Sequence, residues 1–407
     1  MNEQQFLLQK FREFYEKNFI EEPPEIDRRE FGFGDFNVKI IQRHLDFQNY
    51  SELNSFLREN TPFYISYSGA YYKFPSRKPM NKKELLKADL FYEFDADDIE
   101  TKCKEEHDSW QCRECSEKGK GRVSECFKCS GNSIELDEWV CSECLGEAKK
   151  QTFQLIDFLE NDFNLSEGIS INFSGSKGFH VHVRSEAVQS LSANARIELV
   201  DYLTLNGLDL ADHGFLKEGK SWLAPKNPLG LSKRIQKELI DFFNSVSADE
   251  FAVAINSTSR NAKNILKEKE KIINEIERGI LIPLISSPKK NDDAWSRILF
   301  FAAEKLKLNL DRQTSIDLHK ILRVPETIHG GTGLIAKKLS IEELKKFNPL
   351  NDAVAFNGSE AKEVKLELKE TPKFYFNDSF HELAPGKAMV SLDLAVYLLA
   401  KKKAKLI

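Results

Sequence analysis

The sequence has no long hydrophobic run and no excess of basic residues. No stretch approaches the roughly 18 consecutive apolar residues of a membrane-spanning helix, and residues 1–19 carry charges where a signal peptide is apolar. We therefore expect a cytoplasmic protein without a membrane partner. The formal net charge of −5 argues against a protein that coats nucleic acid with its whole surface, although it allows a local basic channel.

The sequence also lacks internal repeats and the phosphate-binding pattern G-x-x-x-x-G-K-[ST]. Its 407 residues suffice for two or three domains, and a content of 41% hydrophobic and 30% charged residues is typical of a globular protein. The patterns predict a core formed by residues 1–230 and 288–407. A cysteine-rich insertion at 103–144 interrupts this core, and a small charged helical subdomain occupies 231–287.

Periodicity predicts several elements of that core. An amphipathic helix is expected over residues 1–20, where Pro23 and Pro24 follow and stop it. The stretch GISINFSGSKGFHVHVRS, residues 168–185, is typical of two strands joined by a glycine-containing turn. The apolar stretch VSLDLAVYLLAKKKAKL, residues 390–406, predicts a final helix.

No cysteine lies outside residues 103–144, which hold all seven. A reducing cytoplasm disfavours structural disulfides, so these cysteines indicate metal ligands. Together with His107 they supply eight ligands, enough for two closed tetrahedral zinc sites of a structural kind. Six of them form C-x-x-C pairs: Cys112 with Cys115, Cys126 with Cys129, and Cys141 with Cys144, while Cys103 precedes His107 by four residues.

The spacing leaves the pairing of these ligands open. A nested scheme places the two central pairs, residues 112–129, on an inner zinc and the remaining ligands on an outer zinc. A sequential scheme divides the segment near residue 120 instead. One zinc site with spare buried thiols is a further alternative.

The stretch LFYEFDADDIE, residues 90–100, begins as an apolar strand and ends in acidic residues. Side chains of a strand alternate between its faces, so Asp95 and Asp97 should share one face and Asp98 should lie on the other. Two carboxylates held together at a strand end can bind a pair of divalent cations, Mg²⁺ or Mn²⁺. A solvated strand end is the alternative interpretation.

Two later segments carry groups that bind anions. In SGSKGFHVHV, residues 174–183, the glycines let backbone N–H groups approach an anion, and Ser174, Ser176 and Lys177 add donors. His180 lies on the polar face of the strand that follows. A simple hairpin with a lysine at its tip is the alternative.

The segment LDRQTSIDLHKILRVPETIHGGTG, residues 310–333, contains Asp311 and Asp317, either of which could be a third carboxylate, and then Arg323 and His329. Here the alternative is a charged helix followed by a glycine-rich turn.

In this order, YEFDADD, the cysteine segment, SGSKGFH and ILRVPETIHGGTG resemble the small catalytic subunit of archaeal and eukaryotic-type DNA primases. The resemblance spans most of the chain. It implies an α/β fold of the α+β type, in which a mixed sheet carries the acids and the Lys177 loop on one concave face. The zinc element and the helical subdomain would be appended to this core.

The resemblance also implies an activity: synthesis of short RNA primers from NTPs on a single-stranded DNA template, by nucleotidyl transfer with two Mg²⁺ or Mn²⁺ ions. Asp95 and Asp97 would bind these ions, and Asp311, preferred to Asp317, would complete the set. The residues that would hold the triphosphate are Arg29, Ser174, Lys177, His180, Arg323 and His329.

Many members of the family carry a single zinc knuckle, which favours the nested pairing. The outer zinc would then be held by Cys103, His107, Cys141 and Cys144. The inner zinc would be held by Cys112, Cys115, Cys126 and Cys129.

The expected partner is a primase large subunit that carries an iron–sulfur cluster, in a heterodimer. Two alternatives remain: a related polymerase of the same superfamily that acts in repair or on mobile elements, and a non-catalytic zinc-ribbon protein that binds nucleic acid. The second alternative accounts for the cysteines but leaves the acidic strand and the Lys177 loop unexplained.

Overall fold

The structure, a computed structural model, describes residues 1–219, 221–284, 294–356 and 363–407. The chain divides into two compact units. The first contains Met1–Phe153, Glu167–Arg196 and Asn309–Ile407, and the second contains Gln154–Ser166 and Ile197–Leu308. The predicted helical subdomain falls within the second unit, and its predicted end at residue 287 lies outside the described residues.

The described helices follow one another along the whole chain. They are α1 (Glu3–Lys17), α2 (Tyr50–Asn60), α3 (Lys104–His107), α4 (Ser142–Asn161), α5 (Glu186–Gln189), α6 (Ala193–Thr204), α7 (Gly230–Ser245), α8 (Ala248–Ala254), α9 (Ser259–Leu266), α10 (Lys269–Glu277), α11 (Ala294–Glu304), α12 (Arg312–Ile316), α13 (Ile341–Lys346), α14 (Pro349–Asp352) and α15 (Leu392–Ala400). No helix in the described ranges has both the length and the apolar character needed to cross a membrane.

The described strands are mostly short. They are β1 (Phe31–Gly34), β2 (Gln42–Leu45), β3 (Tyr64–Ser68), β4 (Ala70–Tyr72), β5 (Leu85–Ala88), β6 (Leu90–Asp95), β7 (Ser109–Cys112), β8 (Lys118–Lys120), β9 (Ile134–Asp137), β10 (Ile169–Phe173), β11 (Gly178–Val183), β12 (Leu216–Glu218), β13 (Ser221–Leu223), β14 (Ile280–Leu281), β15 (Ile321–Arg323), β16 (Lys338–Leu339), β17 (Glu363–Leu368), β18 (Phe374–Phe376), β19 (Ser379–His381), β20 (Gly386–Ser391) and β21 (Ala404–Leu406).

The two ends of the chain show how far periodicity determines an element. The N-terminal helix is confirmed as α1, which a capping box begins: Asn2 accepts a hydrogen bond from Gln5 N at 2.8 Å, and the Gln5 side chain accepts one from Asn2 N. The final helix is shorter than predicted. It covers only α15, because the residues after it turn back and form β21, which pairs with β17.

The first unit is built around a four-stranded sheet with the order β16-β10-β11-β6. Its register places Gly178 opposite Asp95 and His180 opposite Glu93. The fold is mixed α/β, as predicted, but the prediction of a mixed sheet is wrong for the described strands, whose ladders are all antiparallel. The turn between β10 and β11 is too short for the crossover that parallel strands need.

A second four-stranded sheet of the same unit has the order β15-β3-β1-β2. Its edge strand β15 pairs with β3, so that Arg323 lies opposite Ser66. The cysteine insertion forms its own small sheet, β8-β7-β9, around a core that includes Trp110, Cys112 and Cys126. So small a core stabilises little by itself, which is consistent with a segment held by metal.

The second unit contains its own aromatic core. Phe242 and Phe243 of α7 contact Phe251 of α8, and Phe243 also contacts Trp295 of α11. Its small sheet has the order β12-β13-β14. The helices α7, α8, α9 and α10 of this unit lie almost entirely within residues 231–287, the segment predicted to be a helical subdomain.

Candidate active site and metal centres

A cavity of about 490 Å³ lies in the first unit, where β6 ends and β11 begins. Its walls carry charges of both signs. Of the predicted site residues, it brings together two carboxylates, four cationic or imidazole groups and the loop serine: Asp95, Asp97, Lys177, His180, Arg323, His329 and Ser174. These residues come from three distant parts of the sequence, and the fold brings them together in one cavity.

Three acidic residues form a cluster at the end of β6. Asp95 is the last residue of the strand, and the chain then turns, with Asp98 N donating to Asp95 O at 3.0 Å. Carboxylate oxygens of Asp95, Asp97 and Asp98 lie within 4.8 Å of one another. The expectation that Asp98 faces away is therefore wrong, because alternation between faces ends where the strand ends.

Glu93 is a cavity residue that the sequence analysis missed. It lies two positions before Asp95 on β6, and its Oε1 is 3.3 Å from His180 Nε2 on β11. Burial is the largest single influence and raises the pKa of Glu93, but the hydrogen bond from His180 and the nearby positive charges together outweigh it, so the pKa is lowered. The signal was present in the sequence, since Glu93 and Asp95 have the period-two spacing of one strand face.

The electrostatics of this cluster fit a bound cation. Burial, with the nearby Glu93 carboxylate, raises the pKa of Asp95 to about 7. Within the described part of the chain, Asp97 Oδ1 is buried and accepts no hydrogen bond. Carboxylates that repel one another, with an oxygen left unpartnered, are suitable ligands for a hard divalent cation.

Asp311 and Asp317, the two candidates for a third carboxylate, differ in their position relative to the cavity. Asp311 caps α12 and accepts hydrogen bonds from Gln313 N at 2.9 Å and Thr314 N at 3.1 Å. Its own backbone N donates to Glu93 O at 3.3 Å, which places it beside β6. Asp317 lines the cavity, whereas Asp311 does not, and neither belongs to the cluster of three acids. The backbone hydrogen bond to Glu93 supports Asp311, and the position in the cavity wall supports Asp317.

The loop between β10 and β11 is fixed by its own serine and by two glycines. Ser174 Oγ accepts hydrogen bonds from the backbone N of residues 176–178 at 3.1–3.3 Å. Gly175 has φ +80°, and a Cβ there would lie 2.8 Å from His329 Cβ. At Gly178 a Cβ would lie 1.8 Å from Phe94 O. A side chain at either position would push the loop away from the acidic turn and from His329.

Lys177, at the tip of this loop, contacts the acidic cluster directly. Its ammonium forms ion pairs with Asp97 and with Glu138, the latter at 3.3 Å. Burial is the largest single influence and opposes the charged form, but the hydrogen bonds and charges of Asp97 and Glu138 together outweigh it and raise the pKa of Lys177. The loop therefore presents a permanent positive charge next to the carboxylates.

Arg323 and His329 form the opposite, basic side of the cavity. Arg323 donates to Ile65 O at 3.4 Å and lies over the Tyr64 ring at 5.0 Å, and it has no ion pair among the described residues. Burial lowers the pKa of Arg323 to about 10, so it stays charged at neutral pH. Burial also keeps the pKa of His329 well below its usual value. Its Nδ1 accepts from Gly331 N at 3.2 Å, so in the neutral ring Nε2 carries the proton.

The eight predicted metal ligands form two clusters, in the nested arrangement. One contains Cys103, His107, Cys141 and Cys144, and the other contains Cys112, Cys115, Cys126 and Cys129. In each, the ligand atoms lie within 4.8 Å of one another.

The distances within the clusters fit a tetrahedral metal site. Sulfurs that bind one zinc at about 2.3 Å stand about 3.8 Å apart. The Sγ atoms of Cys141 and Cys144 are 3.7 Å apart, and those of Cys112 and Cys129 are 3.6 Å apart. In the outer cluster, His107 Nε2 is 3.3 Å from Cys144 Sγ, and its Nδ1 is 2.8 Å from Asp108. A carboxylate on the other ring nitrogen is the usual support of a metal-binding histidine.

Comparison with known proteins places the chain in a family. A sequence model described as DNA primase small subunit matches residues 136–341. The chain is 30% identical to the DNA primase small subunit PriS of Methanothrix thermoacetophila, over 97% of each chain. It is 27% identical to PriS of Methanococcoides burtonii, over 98% of this chain and 97% of that one. PriS of Archaeoglobus fulgidus is 28% identical, over 97% and 96%.

The chain belongs to the DNA primase small subunit family. Membership makes it an enzyme of the nucleotidyltransferase type. The part matched by the family model includes the Ser174 loop, Asp311, Arg323 and His329, whereas the acidic strand precedes it. The full-length relatives extend the similarity over the acidic strand as well.

One residue expected at the nucleotide site of this primase-family chain is not at the cavity. Arg29 is fully buried and pairs with Asp89 at 3.0 Å. It also donates to Ser68 O and Gly69 O at 2.9 and 2.8 Å, and it lies over the Tyr71 ring. These contacts use the guanidinium to join strands of the core, so Arg29 cannot contact a nucleotide without breaking them.

Proposed function

We propose that this chain is the catalytic subunit of a DNA primase, which makes short RNA primers from NTPs on a single-stranded DNA template. The observation that carries the proposal is a single cavity in which Asp95 and Asp97 face Lys177, Arg323 and His329. Phosphoryl transfer needs this combination, because the enzyme acts mainly by positioning the reactants and by neutralising charge.

Asp95 and Asp97, with Asp98 and Glu93 adjoining, would hold two divalent cations, Mg²⁺ or Mn²⁺. Bound there, these ions would lower the pKa of the attacking 3′-hydroxyl and stabilise the leaving pyrophosphate. The chain's own contribution is to keep the acids together: β6 fixes Glu93 and Asp95, and the Asp98-to-Asp95 hydrogen bond closes the turn. Asp311, whose backbone is bonded to Glu93, would complete the set.

The basic side of the cavity would bind the triphosphate. Arg323 has no ion pair among the described residues, so its charge is available to phosphate oxygens. The protonated Nε2 of His329 would donate a further hydrogen bond. Lys177 would exchange Asp97 for a phosphate oxygen, an exchange of one anion for another that keeps the lysine charged. Ser174 would keep the loop in place, and Glu93 would hold His180 at the cavity.

The two cysteine clusters would each hold one Zn²⁺. Each offers four protein ligands, so neither leaves a coordination position for water or substrate. Both zincs would be structural. All seven cysteines of the chain belong to these clusters, so the iron–sulfur cluster of a primase would belong to a partner subunit.

The partners we propose are the single-stranded DNA template, the RNA primer and a primase large subunit. The relatives are named small subunits, which supports the last of these. Template contact would be electrostatic and sequence-independent.

The experiment that tests the proposal is an assay of template-dependent NTP incorporation, run with and without a candidate large subunit. Metal-dependent synthesis by the wild-type chain, lost in Asp95→Ala, is expected. A folded wild-type chain that binds nucleic acid but incorporates no nucleotide under any of these conditions would favour the non-catalytic alternative.

A further inference from the structure

Arg122 belongs to the inner metal loop, between the C-x-x-C pairs 112/115 and 126/129, yet its side chain contacts the active site. Its Nε donates to Asp108 Oδ2 at 2.6 Å. One terminal nitrogen donates to the backbone O of Asp97 at 3.2 Å, and the other lies 2.9 Å from Glu138 Oε1. One guanidinium thus joins the zinc element to the acidic turn.

Glu138 is shared between two cations. Its Oε1 faces Arg122, and its Oε2 is 3.3 Å from Lys177 Nζ. Lys177 in turn pairs with Asp97. The contacts form a closed ring of four residues, Arg122, Glu138, Lys177 and Asp97, in which Arg122 contacts the backbone carbonyl of Asp97 and Lys177 contacts its carboxylate. The charge of Glu138 is divided between the zinc element and the nucleotide-binding loop.

We propose that Arg122 is a positioning residue for nucleotide transfer: by holding Glu138, it limits how strongly Glu138 competes with the incoming triphosphate for Lys177. The proposal rests on the proposed function, because it concerns the lysine that would bind the triphosphate. It also gives the inner metal loop a role in catalysis, since that loop carries Arg122 to this position.

The physical reason is charge neutralisation at short range. With Arg122 present, one oxygen of Glu138 is paired with a guanidinium, which weakens the attraction between Glu138 and Lys177. Without Arg122, the carboxylate acts on Lys177 alone. A nucleotide must then draw the lysine away from two acids, of which one is no longer neutralised. The affinity for nucleotide falls, although no group that touches the nucleotide has changed.

When Arg122 is lost, a second basic side chain still holds the backbone of the acidic turn. Lys104 Nζ donates to the same Asp97 carbonyl at 3.0 Å and to Ile99 O at 2.6 Å. The turn therefore remains anchored to the zinc element. For this reason the effect should appear in nucleotide binding more than in the chemical step.

A purely structural role for Arg122 makes a different prediction. Asp108 is fully buried and also supports His107, a ligand of the outer cluster. If Arg122 only supported Asp108, its removal would loosen the outer cluster and reduce bound zinc. A change at Glu138 would then not restore function, because Glu138 is not part of that support.

The test compares Arg122→Ala, Glu138→Gln and the double variant in the full chain. Arg113→Ala is the matched control, since Arg113 lies between Cys112 and Cys115 of the same inner cluster but pairs with the exposed Glu135. The readouts are zinc per chain, the Kd for ATP measured without template, and KM and kcat for NTP incorporation. Wild-type incorporation tests the proposed function separately from this inference.

We expect Arg122→Ala to raise the Kd for ATP and the KM for NTP by about 5- to 20-fold, with a smaller change in kcat. Glu138→Gln alone should lower both constants. In the double variant both should return to within about 3-fold of wild type, and Arg113→Ala should match wild type.

Provided that the wild type is active, either of two results would overturn the inference. In the first, Glu138→Gln alone leaves the Kd for ATP unchanged. In the second, Glu138→Gln fails to rescue Arg122→Ala although both zincs are retained. If Arg122→Ala loses zinc, the single variant Glu138→Gln decides the question, because Glu138 is half-buried and belongs to neither ligand cluster, and its replacement leaves Arg122 on Asp108.

Discussion

Glu93 and His180 face each other across β6 and β11, with Glu93 Oε1 3.3 Å from His180 Nε2. The pair lies one strand period before Asp95, so it extends the acidic cluster along the same face of the sheet. A carboxylate that holds a histidine fixes the ring's orientation and its proton. This relationship gives the cavity a further acidic residue, Glu93, and fixes the orientation of the His180 ring.

Glu93 should therefore be needed for activity. We expect Glu93→Gln to lower kcat for NTP incorporation by about 10- to 100-fold, because an amide holds neither a cation nor a histidine as the carboxylate does. Glu100→Gln is the control, since Glu100 is an exposed acid that follows the same turn. A Glu93→Gln enzyme with wild-type kcat would remove Glu93 from the site.

In the absence of Mg²⁺ and Mn²⁺, the Asp95 carboxyl should lower the free energy of unfolding as the pH rises. Burial and the Glu93 carboxylate raise the pKa of Asp95 from 3.8 to about 7. Between these values the folded protein keeps a proton that the unfolded chain has released, so the free energy of unfolding falls as the pH rises through this window.

Urea denaturation at pH 5 and pH 8 measures this effect. We expect Asp95→Asn to exceed wild type by roughly 2 kcal/mol in the free energy of unfolding at pH 8, and by less at pH 5. Added Mg²⁺ should stabilise wild type at pH 8 and stabilise the variant much less. Equal stability of both proteins at pH 8 would contradict a buried, repelled carboxylate.

Two variants separate the two roles of Asp311, which are to cap α12 and to supply a negative charge. Asp311→Ala removes both, and the loss of the cap on α12 should cost about 1 kcal/mol in the free energy of unfolding. Asp311→Asn keeps an acceptor for Gln313 N, so it should be nearly as stable as wild type while its activity falls by about 100-fold or more. Asp317→Asn is the comparison: if only that variant loses activity, the third carboxylate is Asp317.

Metal analysis distinguishes the two pairing schemes for the cysteines. We expect two zinc ions in the wild-type chain and one in the double variant Cys112→Ser/Cys129→Ser, because both residues belong to the inner cluster. Under sequential pairing the same double variant would disrupt both sites and retain none. Cys103→Ser/Cys144→Ser should likewise keep one zinc, that of the inner cluster.

The nested clusters show what the sequence could predict. Eight ligands in C-x-x-C and Cys-x₃-His spacing define two tetrahedral sets by count alone. Their division required β7, β8 and β9, which form a small sheet that brings the central pairs together. The loop at Ser174 was similarly predictable, because its glycines separate two strongly alternating strands.

The acidic strand shows where sequence reasoning failed. The strand ends at Asp95, so alternation does not hold beyond it, and the prediction that Asp98 lies on the other face is wrong. Within the strand the same alternation places Glu93 on the face of Asp95, but the prediction did not include Glu93. The predicted position of Arg29 at the nucleotide site differs from the structure for another reason. A motif identifies an arginine but cannot say whether it faces a cavity, and here Asp89, more distant in the sequence, holds it in the core.

The central claim is that the cluster around Asp95 is the centre of template-directed nucleotidyl transfer. The most direct measurement is incorporation of radiolabelled NTPs on a single-stranded DNA template, with Mg²⁺ or Mn²⁺, by wild type and by Asp95→Ala. We predict metal-dependent synthesis by wild type and a loss of about 1,000-fold or more in the variant, with unchanged zinc content and a cooperative unfolding transition. Near-normal synthesis by a folded Asp95→Ala protein would contradict the account.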